Sequence, residues 1–86
     1  MEALTREQIE EKVIKVVCSQ LQVVPSDVKG SSLFVDDLGA DSLDLTELAI
    51  AFEDEFDLEI PDADFGRLST VSGVVDYVAE RFSQVK

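Results

Sequence analysis

Ser42 is the residue of this chain with the clearest chemical potential. It stands in Gly39-Ala40-Asp41-Ser42-Leu43, where a helical pattern begins. A serine at that place has two readings. Its hydroxyl can cap the helix by accepting a backbone amide bond, a contribution of about 1 kcal/mol. It can instead be an exposed hydroxyl on a fixed element, open to covalent modification. Free amides and the helix dipole favour an attached phosphate at that end, while Asp37, Asp41 and Asp44 oppose it. Catalysis by the serine itself is a poor alternative, because the sequence has no histidine to act as its base and no G-x-S-x-G elbow.

Carboxylates are the second group with chemical potential. The formal net charge is −12, and no Lys or Arg occurs between Lys29 and Arg67. That span holds Asp36, Asp37, Asp41, Asp44, Glu47, Glu53, Asp54, Glu55, Asp57, Glu59, Asp62 and Asp64. Acids spread over short elements make an anionic field rather than an acid/base pair in a pocket. Such a field repels phosphate backbones and anionic lipid, so neither nucleic acid nor membrane is an expected partner. It attracts proteins with basic patches, or simply keeps the protein soluble. The calcium-loop spacing D-x-[DN]-x-[DN]-G is absent, and without histidine there is no His-ligated zinc. No dedicated metal site and no catalytic residue are expected.

These groups need a scaffold. With 86 residues, of which 45% are hydrophobic, the chain reads as a single domain over 1–86 with its core from about 5 to 82. Its one cysteine, Cys18, has no intramolecular partner, which fits a reducing cytoplasmic compartment. The start of the chain lacks a basic region followed by an apolar run, so no secretory signal is expected. No stretch reaches the roughly 18 apolar residues of a membrane span.

The first helix is predicted from about Thr5 to Leu21, with Thr5 and Gln8 as a capping box and Ile9, Val13, Val16, Val17 and Leu21 as its apolar stripe. Pro25 excludes its continuation. A long first loop follows to Ala40, packed down by Val28, Leu33, Phe34 and Leu38, with a short turn near Leu33-Phe34. The second helix is predicted from Asp41 or Ser42 to Phe56, with Asp41 and Asp44 at capping-box spacing. A short helix over Asp62 to Arg67 follows, weakened by Gly66. The last helix begins after Ser69 or Thr70 and presents Val71, Val74, Val75, Val78 and Phe82 on one face. The fold class is all-α, a small bundle.

The second helix carries two apolar faces. At about 100° per residue, Leu45, Leu48, Ala49, Phe52 and Phe56 form the core face, while Leu43 and Ile50 fall opposite with Glu47 and Asp54. Apolar residues interleaved with acids on an outward stripe suit docking of a basic partner. Isolated exposed apolar residues are also ordinary, so both readings stand at this point. Cys18 lies off the first helix's stripe, beside Glu11 and Lys15, and is expected to be partly exposed.

The run Phe34-Val35-Asp36-Asp37-Leu38-Gly39-Ala40-Asp41-Ser42-Leu43-Asp44 resembles the attachment motif of acyl carrier proteins. The similarity continues through Glu47-Leu48, Phe52-Glu53-Asp54-Glu55-Phe56, Glu59-Ile60-Pro61-Asp62, Leu68-Ser69-Thr70-Val71 and Asp76-Tyr77-Val78, and back into Val13, Ile14 and Gln20-Leu21. It covers nearly the whole chain. The resemblance implies a four-helix bundle with a long first loop and a short third helix. It implies a non-catalytic, monomeric carrier whose serine receives 4′-phosphopantetheine from coenzyme A by a phosphopantetheinyl transferase. The arm's thiol then holds an acyl chain as a thioester, sheltered between the helices. Carried over to this sequence, Ser42 is the attachment site. Asp41, Leu43, Asp44, Glu47, Ile50, Glu53, Asp54 and Glu55 become the docking surface for enzymes with basic patches. Fatty acid synthesis is the implied pathway. A specialised polyketide or modified fatty acid pathway, or an unmodified acidic interaction domain, are the alternatives. Leu45-Thr46, Ala49-Ile50 and Phe52 depart from the housekeeping pattern, where Thr-Val, Val-Met and a smaller aliphatic residue are usual. Phe52 is expected to shorten the acyl cavity and Ala49 to open it.

Overall fold

The computed structural model describes residues 5–83. The expectation about a signal at Met1–Leu4, and the ends of the 1–86 range, lie outside the described residues. Helix α1 spans Arg6–Leu21. The Gln8 amide donates to Thr5 Oγ1 at 3.1 Å and the Thr5 amide donates to Gln8 Oε1 at 2.9 Å, so the capping box is closed in both directions. Ile9, Val13, Val16 and Val17 are buried along its inner face. Gln22 ends the helix in the left-handed region, with φ at 57°, and Pro25 opens a 3₁₀ turn over Pro25–Asp27.

Helix α2 covers Ser42–Phe56 and α3 covers Val71–Ser83. Between them, Asp62–Leu68 forms a 3₁₀ helix directly after Pro61, which fixes the extended entry. The expected short third helix is therefore present, but wound as 3₁₀ and reaching Leu68. The architecture among the described residues is an all-α bundle of three α-helices and this short fourth one, with no strand. Helix α1 packs against both α2 and α3. Phe56 and Phe82 meet edge to face at 6.0 Å, joining the ends of α2 and α3.

The long first loop is held down at specific points. Val28, Phe34 and Ala40 are buried in the core. The Phe34 amide donates to the Ser69 carbonyl at 3.1 Å, Val71 N to Ser32 O at 3.2 Å, and Ser72 N to Gly30 O at 2.9 Å. These bonds tie the loop to the head of α3, with Leu33 bridged to Thr70. Backbone that leaves regular structure inside a compact domain needs such partners. The buried Ser32 is satisfied as well, its hydroxyl accepting the Lys29 amide at 2.9 Å.

The same junction explains a glycine inside α3. The Gly73 amide donates to Thr70 Oγ1 at 2.9 Å, which satisfies the first turn. A Cβ at Gly73 would stand 2.6 Å from the Arg67 carbonyl oxygen and 3.1 Å from Thr70 Oγ1. An alanine normally gains about 1 kcal/mol over glycine in a helix. Here the contact is with backbone that cannot step aside cheaply, and the clash wins. Gly73→Ala is expected to lower stability by about 1–3 kcal/mol in urea unfolding, the opposite sign from helix propensity.

Candidate functional site

The segment before α2 is built to deliver one turn of helix at a fixed place. Asp37 and Leu38 amides return to the Leu33 carbonyl at 2.9 and 3.0 Å, and Asp37 Oδ2 accepts the Leu33 amide at 2.8 Å. Gly39 then takes φ at +76°, a conformation that disfavours any side chain. Ala40 is buried, its amide donating to Phe34 O at 2.8 Å.

Asp41 is the N-cap. Its Oδ1 accepts the Asp44 amide at 2.9 Å, and Asp44 Oδ2 accepts the Asp41 amide at 3.2 Å. Ser42 is consequently the first residue inside the helix rather than its cap. Of the two readings open to this serine, the capping one is removed by its neighbour. Ser42 is exposed, and its hydroxyl has no partner among the described residues. The Ser42 carbonyl accepts the Thr46 hydroxyl at 3.1 Å.

The outward stripe lies where the helical spacing puts it. Leu43 is 65% exposed and Ile50 55%, with Glu47 and Asp54 exposed beside them. Asp44 is half-buried at the capping box. The other two acids assigned to the docking surface have internal partners. Glu53 is half-buried, and its Oε2 accepts the Ile60 amide at 2.7 Å, closing the turn after α2. One oxygen of this carboxylate is thereby engaged within the fold. Glu55 is exposed and meets Lys12 of α1 at 3.3 Å.

Beneath the serine, the core face of α2 opens into a mostly apolar cavity of about 320 Å³. Leu45, Leu48, Ala49 and Phe52 line it from α2, Leu33, Phe34 and Val35 from the loop, and Phe65, Gly66 and Leu68 from the 3₁₀ helix. Leu45 is one turn past Ser42, so the cavity starts immediately inside the helix end that carries the hydroxyl. Cys18 is half-buried against the core, and burial together with the Asp27 charge pushes its thiol pKa up. A thiol so disposed is a poor nucleophile.

The family model described as "Phosphopantetheine attachment site" matches residues 11–78. The chain belongs to this phosphopantetheine attachment family. Members carry 4′-phosphopantetheine covalently and act as carrier domains, generally without catalysis of their own. The role this gives the chain is that of a phosphopantetheine-bearing acyl carrier, a substrate for a phosphopantetheinyl transferase. The residues present fit the group. An unpartnered exposed hydroxyl stands at a helix start, where backbone amides favour a phosphodiester, and an apolar cavity lies within one turn of it. No helix among the described residues is long and apolar enough to cross a membrane.

The capping assignment separates Asp41 from Ser42 experimentally. Asp41→Ala is expected to cost about 1 kcal/mol in denaturant unfolding. Ser42→Ala is expected to stay within about 0.5 kcal/mol of the parent.

Proposed function

We propose that this protein is an acyl carrier of type II fatty acid synthesis, with Ser42 as the attachment residue. The observation that carries the reading is the transfer of the cap to Asp41, which leaves the Ser42 hydroxyl exposed above an apolar cavity. For loading, the Ser42 side chain is open to solvent, and the first amides of α2 favour the phosphate charge. Once bound, the arm supplies a thiol on which an acyl group is held as a thioester. The chain's own part is to shelter that group: Leu45, Leu48, Ala49, Phe52 and Phe65 keep apolar carbon out of water, about 0.8 kcal/mol for each methylene buried. The free cysteine and the thiol chemistry suit a reducing cytoplasm.

Docking is assigned to Leu43, Asp44, Glu47, Ile50 and Asp54. Leu43 and Ile50 supply burial, and the acids steer a basic patch and fix its register. Asp41 and Glu55 border this surface while holding the capping box and the Lys12 pair, and Glu53 acts through the Ile60 amide instead. A specialised carrier for a modified fatty acid or polyketide is the second reading. It is favoured by Ala49 and Phe52, both of which line the cavity and both of which differ from the housekeeping pattern.

Incubation with coenzyme A and a broad-specificity phosphopantetheinyl transferase is expected to add one phosphopantetheine by intact mass, and none to Ser42→Ala. A folded, unmodified sample that gains nothing would favour an unmodified interaction domain. For the docking stripe, Ile50→Glu is expected to weaken binding to the transferase by about tenfold with an unchanged helical circular dichroism spectrum. Unchanged affinity would remove Ile50 from the surface.

A further inference from the structure

We propose that a cluster of buried Tyr77 with half-buried Asp64 and Arg81 sets the longest acyl chain the cavity accepts, by fixing the 3₁₀ helix that forms one of its walls. The inference rests on the reading of that cavity as the acyl seat.

Tyr77 is 1% exposed and is the largest fully buried side chain. It lies off the valine stripe of α3 and reaches the 3₁₀ helix Asp62–Leu68. Its hydroxyl donates to Asp64 Oδ2 at 2.6 Å. Arg81 Nη1 donates to the same hydroxyl at 2.8 Å and to the Glu59 carbonyl at 2.9 Å. The guanidinium groups of Arg67 and Arg81 stand 5.0 and 5.6 Å from the centre of the Tyr77 ring. In a chain of net charge −12, two of seven basic side chains are gathered on this one phenol. Burial and the Asp64 bond push its pKa up despite Arg81, so the hydroxyl stays protonated and donating.

The geometry connects this cluster to the cavity through a single peptide unit. Asp64 is held by α3, and the next residue, Phe65, lines the cavity together with Gly66 and Leu68. A 3₁₀ helix has poor internal hydrogen-bond geometry and little rigidity of its own. Its position is therefore set by what it is tied to. Packing alone would be served by phenylalanine, whereas a hydroxyl bonded at both sides is directional and fixes the wall at one distance from α2. With the tie released, the wall can yield outward to a longer chain.

The test uses holo protein loaded with saturated acyl chains of increasing length, read as the gain in Tm over the unacylated holo form. The parent, Tyr77→Phe and Asp64→Ala are compared with Thr5→Ala, which weakens the distant cap of α1. In the parent, the gain should rise with length and then fall once the cavity is filled. In Tyr77→Phe and Asp64→Ala that turning point should move to longer chains. Thr5→Ala should lower every Tm and keep the parent's turning point, which separates wall position from general loss of stability. A turning point unmoved in both cluster variants, or moved to shorter chains, overturns the proposal. If no chain raises the Tm of the parent, the acyl-seat reading itself fails.

Discussion

Two carboxylates, Asp41 and Asp44, close the first turn of α2 on each other's backbone amides, and the site depends on that closure. Helix starts leave several amides without partners, and polar side chains compete to supply them. Had Ser42 filled that place, its hydroxyl would have been consumed by structure. Asp41 fills it instead, on a backbone set in advance by Gly39 and the buried Ala40. One residue of difference in the helix start decides between a hydroxyl used as a cap and one left exposed.

The acidity of the chain divides along the same lines. Self-repulsion at net charge −12 works against a compact state, and part of the charge is absorbed by the fold. Glu53 accepts the Ile60 amide, Asp37 the Leu33 amide, and Asp64 the Tyr77 hydroxyl. Glu55 stands against Lys12. What remains unengaged on α2, chiefly Glu47 and Asp54, flanks the two exposed apolar side chains. The field that looked uniform along the chain is a set of internal acceptors plus a narrower outward stripe.

Much of this was legible in the sequence, for definable reasons. The Thr5-Gln8 box, the buried face of α1, the two faces of α2 and the valine stripe of α3 all follow from periodicity and capping chemistry, which are local. The features that escaped are those with sequence-distant causes. Glu53 shares a helix with outward acids, and its bond to the Ile60 amide depends on the chain's return after α2. Tyr77 sits off the valine stripe, so periodicity gives no reason for its burial, and its bond to Asp64 of the 3₁₀ helix accompanies that burial. Gly73 looks like a weak spot until the Arg67 carbonyl beside it is seen. Spacing alone favoured a capping role for Ser42, while the Asp41-Asp44 spacing already pointed to Asp41 as the cap, and the built turn decides for Asp41.

The bonds between the loop at Gly30–Phe34 and the head of α3 at Ser69–Ser72 have a kinetic meaning. They close a circuit around the whole of α2 and the 3₁₀ helix. Contacts across so much chain are reached only after its loop-closure entropy has been met. The bonds inside each helix close within a few residues and can precede the clasp, which belongs to the late side of the folding barrier. Interactions made there act on the rate of unfolding more than on the rate of folding. The lifetime of the native carrier, as distinct from the speed with which it is made, is thus tied to a few backbone bonds at the head of α3, where Val71 enters the core.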